Sequence, residues 1–177
     1  MFKRILVCLD GTKSNEGILP YVVEQAKKFN SKVFLLRVNA VLSNLPDYSA
    51  NPGTLPAGTL ASIAINAEED FSNSYLKGIA ARLSEAGLDV EAIVMTGTIT
   101  ELILKCIKEK SIDLVAMASH VYKGWKRFIS GSTMEDVLRK CDIPVLAINS
   151  RVTDEQTETL ALRNGRDFIG SDEKITA

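Results

Sequence analysis

Two short stretches carry the residue types with which this chain could do chemistry. The first is Asp10-Gly11-Thr12, which closes the apolar run Lys3 to Leu9 (KRILVCL). A carboxylate placed between a buried strand and a helix can accept a hydrogen bond from a sugar hydroxyl. It can also bond its own backbone in an Asp-Gly-Thr turn. The second stretch runs from Asp113 to Ile148, where an apolar segment (Asp113 to Ala118) leads through a turn-rich loop to Gly131-Ser132-Thr133. A strand, a loop and a helix N-terminus in that order make a seat for an anion, because unpaired backbone N–H groups and the helix dipole both point at it. Ser132-Thr133-Met134-Glu135 also spells a capping box, which accounts for Ser132 with no ligand at all. The two uses are compatible, since a cap leaves other first-turn N–H groups free. His120 is the single histidine, and no Ser/His/Asp set or metal set accompanies it, so a loop contact is favoured over a general base. Tyr122, Lys123, Trp125, Lys126 and Arg127 interleave bases with aromatics. They read as a solvated loop with Trp125 packed on the domain, ahead of contacts to phosphates, a partner protein or a polyanion.

The elements that must position these stretches alternate along the chain. Lys3 to Leu9, Val33 to Val38 (VFLLRV), Leu88 to Met95, Asp113 to Ala118 and Ile143 to Ile148 are short runs rich in branched residues, the mark of strands buried on both faces. Thr12 or Ser14 caps a helix whose apolar residues Ile18, Val22, Val23 and Ala26 recur at helical spacing. A longer helical pattern spans Thr59 to Ala86, with Ile63, Phe71, Tyr75, Ile79 and Leu83 as expected core contacts and Gly87 as its stop. Further helices follow Thr98 or Thr100 and Ser132. Between Asn39 and Gly58 the chain is rich in Pro, Gly, Asn and Ser, a length of loop that is usually functional or disordered. Strict alternation predicts an α/β fold: one doubly wound five-stranded parallel sheet with helices on both faces. Ligands of such sheets bind beyond the carboxyl ends of the strands, where strand order reverses. One domain over residues 1–150 and a polar tail over 151–177 are expected.

Composition narrows the function classes. A chain of 177 residues with 46% hydrophobic and 24% charged residues suits one soluble domain. A net charge of −1 provides no field to recruit nucleic acid or an anionic membrane, so neither is an expected partner. No apolar run is long enough for a bilayer span, and the opening Met1-Phe2-Lys3-Arg4-Ile5 lacks signal-peptide anatomy. Cys8, Cys106 and Cys141 are widely spaced, which argues against a disulfide framework or a zinc site. A cytoplasmic protein is expected. The apolar last strand calls for a covering partner if it stands at a sheet edge. Pairing of Val145 to Ile148 with a second copy would make an isologous homodimer.

With these residues in order, the chain resembles a universal stress protein over most of Met1 to Ser150. The resemblance rests on ILVCLDGTKSN, FLLRV, MTGTITELILKCIKE, DLVAMASH and GSTMEDVLRKCDIPVLAI taken as an ordered set. It implies strand order 3-2-1-4-5, commonly a dimer through the last strands, and in many members ATP binding, with Mg2+ accompanying the ATP. The ATP-binding branch resembles itself through G-x-x-G, nine residues, then G-[S/T]. On this chain those positions fall at Ala118, Val121 and Gly131-Ser132. By the same carry-over Asp10 meets the ribose or adenine region, Val38 lies against the base, and Ser132 and Thr133 serve the phosphates. Met117 and His120 complete the implied set. Val121 is the departure that matters, because a β-branched residue disfavours positive φ and adds bulk beside a phosphate. Two readings therefore stand. One is a stress-associated nucleotide binder with at most weak hydrolysis, since neither a Walker lysine motif nor a convincing base is present. The other is an interaction module of the non-binding branch, acting through an unidentified protein partner.

Overall fold

The computed structural model describes residues 1–40, 57–119 and 133–149. Five strands, β1 (Arg4–Cys8), β2 (Lys32–Asn39), β3 (Asp89–Thr96), β4 (Leu114–Ser119) and β5 (Val145–Asn149), form one parallel sheet in the order β3-β2-β1-β4-β5. Among the described residues five helices accompany them: α1 (Lys13–Glu16), α2 (Leu19–Phe29), α3 (Ala57–Glu85), α4 (Ile99–Glu109) and α5 (Thr133–Lys140). The order implied by the family resemblance is the order observed. Strand order reverses at β1, whose neighbours are β2 on one side and β4 on the other.

Side-chain alternation along the strands divides the core between the two faces. Ile5, Val7, Val33 and Leu35 pack with Val22 and Ala26 of α2 and with Leu76, Ile79 and Leu83 of α3. Leu6, Phe34, Leu36, Val115 and Met117 turn the other way, against Ile103 and Cys106 of α4 and Val137 of α5. Because both faces are covered, the central strands read as unbroken apolar runs rather than alternating ones.

Two local expectations are corrected. The helix after Asp10 is two helices: Thr12 caps α1, and α2 begins at Leu19 with Pro20 in its first turn. Proline lacks the N–H that would continue the first helix, and its ring would strike the carbonyl four residues back. On α3, Leu76, Ile79, Leu83 and Ser72 face the sheet, while Ile63 and Phe71 are 54% and 53% exposed. Twenty-nine residues make a helix of about 44 Å. An eight-residue strand runs only about 26 Å, so the helix outruns the sheet, and Ile63 near its start is exposed among the described residues. Phe71 lies one position, hence about 100°, off the buried stripe.

Asp113 ties the base of the sheet, accepting from the backbone N–H groups of Lys3 and Arg4 at 2.6 and 3.0 Å. At the far edge, Val145, Leu146 and Ile148 of β5 are half-buried and Ala147 is exposed. No helix among the described residues is long and apolar enough to cross a membrane.

Candidate functional site

The carboxyl ends of β1, β2 and β4 converge on a cleft of about 300 Å3, closed by the first turns of α4 and α5. One wall is apolar: Leu36 and Val38 from β2, Ile99 and Ile103 from α4, and Met117 from β4. The polar groups of the lining come from Asp10, Asn15 and Thr133. Asp10, Val38, Met117, Ala118 and Thr133, singled out from the sequence, therefore border one space although 123 positions separate the first from the last (133 minus 10). His120, Val121, Gly131 and Ser132, and the basic-aromatic run from Tyr122 to Arg127, lie outside the described residues.

The turn that presents Asp10 is built in detail. Asp10 Oδ1 accepts from the Thr12 backbone N–H and from the Thr12 hydroxyl, both at 2.8 Å. This is the turn geometry that Asp-Gly-Thr predicts. Gly11 has φ +89°, a conformation glycine adopts freely and other residues resist. Thr12 in turn accepts from Asn15 N–H and caps α1. The carboxylate is thus oriented by its own neighbours before any ligand arrives.

Arg37, which sequence reasoning passed over, fixes this turn from behind. Its side chain lies inside an otherwise apolar strand and is buried, so its charge must be met within the fold. Nη1 donates to the Asp10 carbonyl at 2.7 Å, Nη2 to Glu68 Oε1 on α3 at 2.7 Å, and Nε to Asn39 Oδ1 at 3.4 Å. Ser72 adds its hydroxyl to the same Asn39 oxygen at 2.7 Å. The guanidinium lies over the rings of Phe71 and Tyr75, with centroid distances of 5.0 and 5.7 Å. Those rings are stacked 6.3 Å apart. That contact gives the exposed Phe71 a use other than core packing. One signal for this network was present in the sequence, namely a lone arginine within VFLLRV.

Titration behaviour follows from burial. The Cys8 thiol on the cleft wall is pushed up to about 12, chiefly by desolvation. Burial raises the Cys106 thiol as well. Both behave as small hydrophobes, not nucleophiles. Burial, then the carboxylates of Glu16 and Asp10, pushes the Tyr75 phenol upward. In α5 the first-turn Glu135 is paired with Arg139 at 2.7 Å. Among the described residues no group of three His, Cys, Asp or Glu could hold a metal ion.

With this geometry in place, comparison with known proteins gives the class. The model of the universal stress protein family matches residues 1–149, and the chain belongs to that family. Universal stress protein MJ0577 of Methanocaldococcus jannaschii is 29% identical over 80 residues. That match covers 45% of this chain and about half (49%) of the relative's length. The structure of universal stress protein UspA from Lactobacillus plantarum superposes with a TM-score of 0.65 at 17% identity, covering 83% of this chain and 97% of that one. An Arabidopsis thaliana family member with AMP bound gives a TM-score of 0.56 at 14% identity, covering 83% of this chain and 91% of its own. Other structural neighbours are a universal stress protein in complex with cAMP and one from Archaeoglobus fulgidus in complex with dAMP, with TM-scores of 0.58 and 0.53.

Proposed function

We propose that the chain is a stress-associated protein that binds ATP or a related adenine nucleotide in the cleft between β1 and β4. The observation that carries this reading is the joint lining of one 300 Å3 space by the Asp10 carboxylate, an apolar wall and the start of α5. A flat base needs an apolar slot, which Val38, Leu36, Ile99 and Ile103 supply. A ribose needs a hydroxyl acceptor, which Asp10 supplies. Phosphates need backbone donors at a helix mouth, which the start of α5 at Thr133 supplies. Family members with AMP, cAMP and dAMP bound support the same choice of ligand. Mg2+ would come with the triphosphate, coordinated by its oxygens, because no acidic cluster lines the described part of the cleft.

The protein's work in this reading is binding rather than turnover. Occupancy would bias the loop over residues 118–131 and the long loop over residues 39–58. The scaffold would be a homodimer joined through Val145 to Ile148 of the edge strand β5, in a compartment that keeps the three free thiols reduced. Sedimentation equilibrium should report a dimer for the wild type and a monomer for Ala147→Pro, which places proline within that strand. A dimer unaffected by the proline would exclude this edge.

Isothermal titration with ATP and Mg2+ tests the ligand. A single saturable site abolished by Asp10→Ala supports it, and no heat up to millimolar ATP rejects it. In that event the second reading takes over: an interaction module for an unidentified protein partner. Val121 in place of a glycine and the exposed Ile63 and Ile65 on α3 favour it.

A further inference from the structure

We infer that Asn15 is a ligand contact: its side-chain oxygen accepts a hydrogen bond from an N–H or O–H donor of the molecule held in the cleft. The inference rests on the nucleotide reading of that cleft and names a residue that neither the sequence motifs nor the family resemblance assigns.

Asn15 borders the cleft yet is only 6% exposed. Its Oδ1 is buried and has no hydrogen-bond partner among the described residues. The backbone of the same residue is fully used. Its N–H is met by the Thr12 carbonyl and hydroxyl at 3.1 and 3.3 Å, and its carbonyl accepts from Gly17 and Ile18. The side chain is therefore not needed as a cap. An orphaned buried carbonyl oxygen is uncommon in folded proteins, and one carried by a residue that lines a cavity asks for a donor from within the cavity.

The rest of the described lining does not supply that donor. Leu9, Leu36, Ile99, Ile103 and Met117 are apolar, Asp10 brings acceptors, and the Thr133 hydroxyl is not bonded to it. A carbonyl oxygen repels phosphate oxygens, so the facing part of a nucleotide is one that carries hydrogen. Two groups qualify, the exocyclic amine of the base and a sugar hydroxyl. They share one chemistry, donation to a fixed acceptor.

The test is titration of the full chain with ATP, inosine triphosphate (6-oxo in place of the amine), 2′-deoxy-ATP and 3′-deoxy-ATP. Wild type should bind one of the analogues about tenfold more weakly than ATP, as expected for one lost hydrogen bond. Because Asp10 also accepts from a ribose hydroxyl, it is the analogue whose penalty Asn15→Ala removes that tells amine from hydroxyl. In Asn15→Ala, ATP should weaken about tenfold and the penalty for the analogue that lacks the donor to Asn15 should vanish, while any penalty set by Asp10 remains. Equal binding of all four ligands by wild type would overturn the inference with no variant required. So would unchanged ATP affinity in a folded Asn15→Ala, which would mean that water serves the oxygen. Absence of any binding to wild type would overturn the nucleotide reading itself, and this inference with it.

Discussion

Replacing Gly11 by alanine probes the turn and its arginine together. Gly11 has φ +89°, and a Cβ added there would stand 1.7 Å from Nη1 of Arg37. Two costs follow. Forcing alanine into the left-handed region takes about 1–2 kcal/mol. Arg37 must also withdraw, giving up its bonds to the Asp10 carbonyl and Glu68 and its place over Phe71 and Tyr75. The tip of an arginine is flexible, so the steric part relaxes. The lost charge-assisted bonds do not return, and they are worth about 1.5–3 kcal/mol. Glu68 is partly exposed and recovers some of that from water, which sets the total near 3 kcal/mol. Urea unfolding of wild type, Gly11→Ala, Arg37→Ala and the double variant forms a thermodynamic cycle. With Arg37 absent, only the backbone cost of about 1–2 kcal/mol should remain for Gly11→Ala, leaving a coupling of roughly 1–2 kcal/mol. Strict additivity would refute the contact between Arg37 and this turn, and a Gly11→Ala cost near zero would refute the turn geometry as well.

Other expectations follow from the same coordinates. Val121→Gly should raise ATP affinity about tenfold if a β-branched side chain obstructs the phosphates; unchanged affinity in titration calorimetry would mean that the loop takes another course. Alkaline pH should destabilise the fold. Cys8 ionises from the ordinary thiol value of 9.0 when unfolded but only near 12 when folded. The unfolded chain therefore holds fewer protons across that window and stability falls as pH rises through it. Tyr75 adds in the same direction, and Cys8→Ala should flatten the slope measured by urea unfolding between pH 9 and 11. Leu76→Ala removes a fully buried side chain between α3 and the sheet and should cost about 3–4 kcal/mol, whereas Ile63→Ala, on the overhanging part of α3, should cost under about 1 kcal/mol.

How much of this was legible in the sequence varies with the range of the interactions. The central strands were visible because a strand buried on both faces leaves an unbroken apolar run, the partly exposed edge strands β3 and β5 because of their branched residues, and the order followed from the family resemblance. Pro20 was there to be read as a helix start, but the helical spacing of Ile18, Val22 and Val23 masked the break. The buried stripe of α3 was harder. Phe71 looks like core by composition, and only the helix's rotation against the sheet makes Leu76 the buried residue and sends Phe71 to Arg37. The site divides the same way. Asp10 could be read because a strand end fixes where it stands. The partners of Arg37 could not, since Glu68 and Ser72 lie more than thirty residues away on a helix whose register the sequence leaves open. Asn15 was missed because its importance rests on an unmet oxygen, which only three dimensions reveal.

The most direct trial of the account is a crystal structure of the protein grown with ATP. Difference density should fill the space beside Asp10, with the base against Val38 and the phosphates at the start of α5 near Thr133. Side chains and water alone in that space at saturating ATP would contradict it.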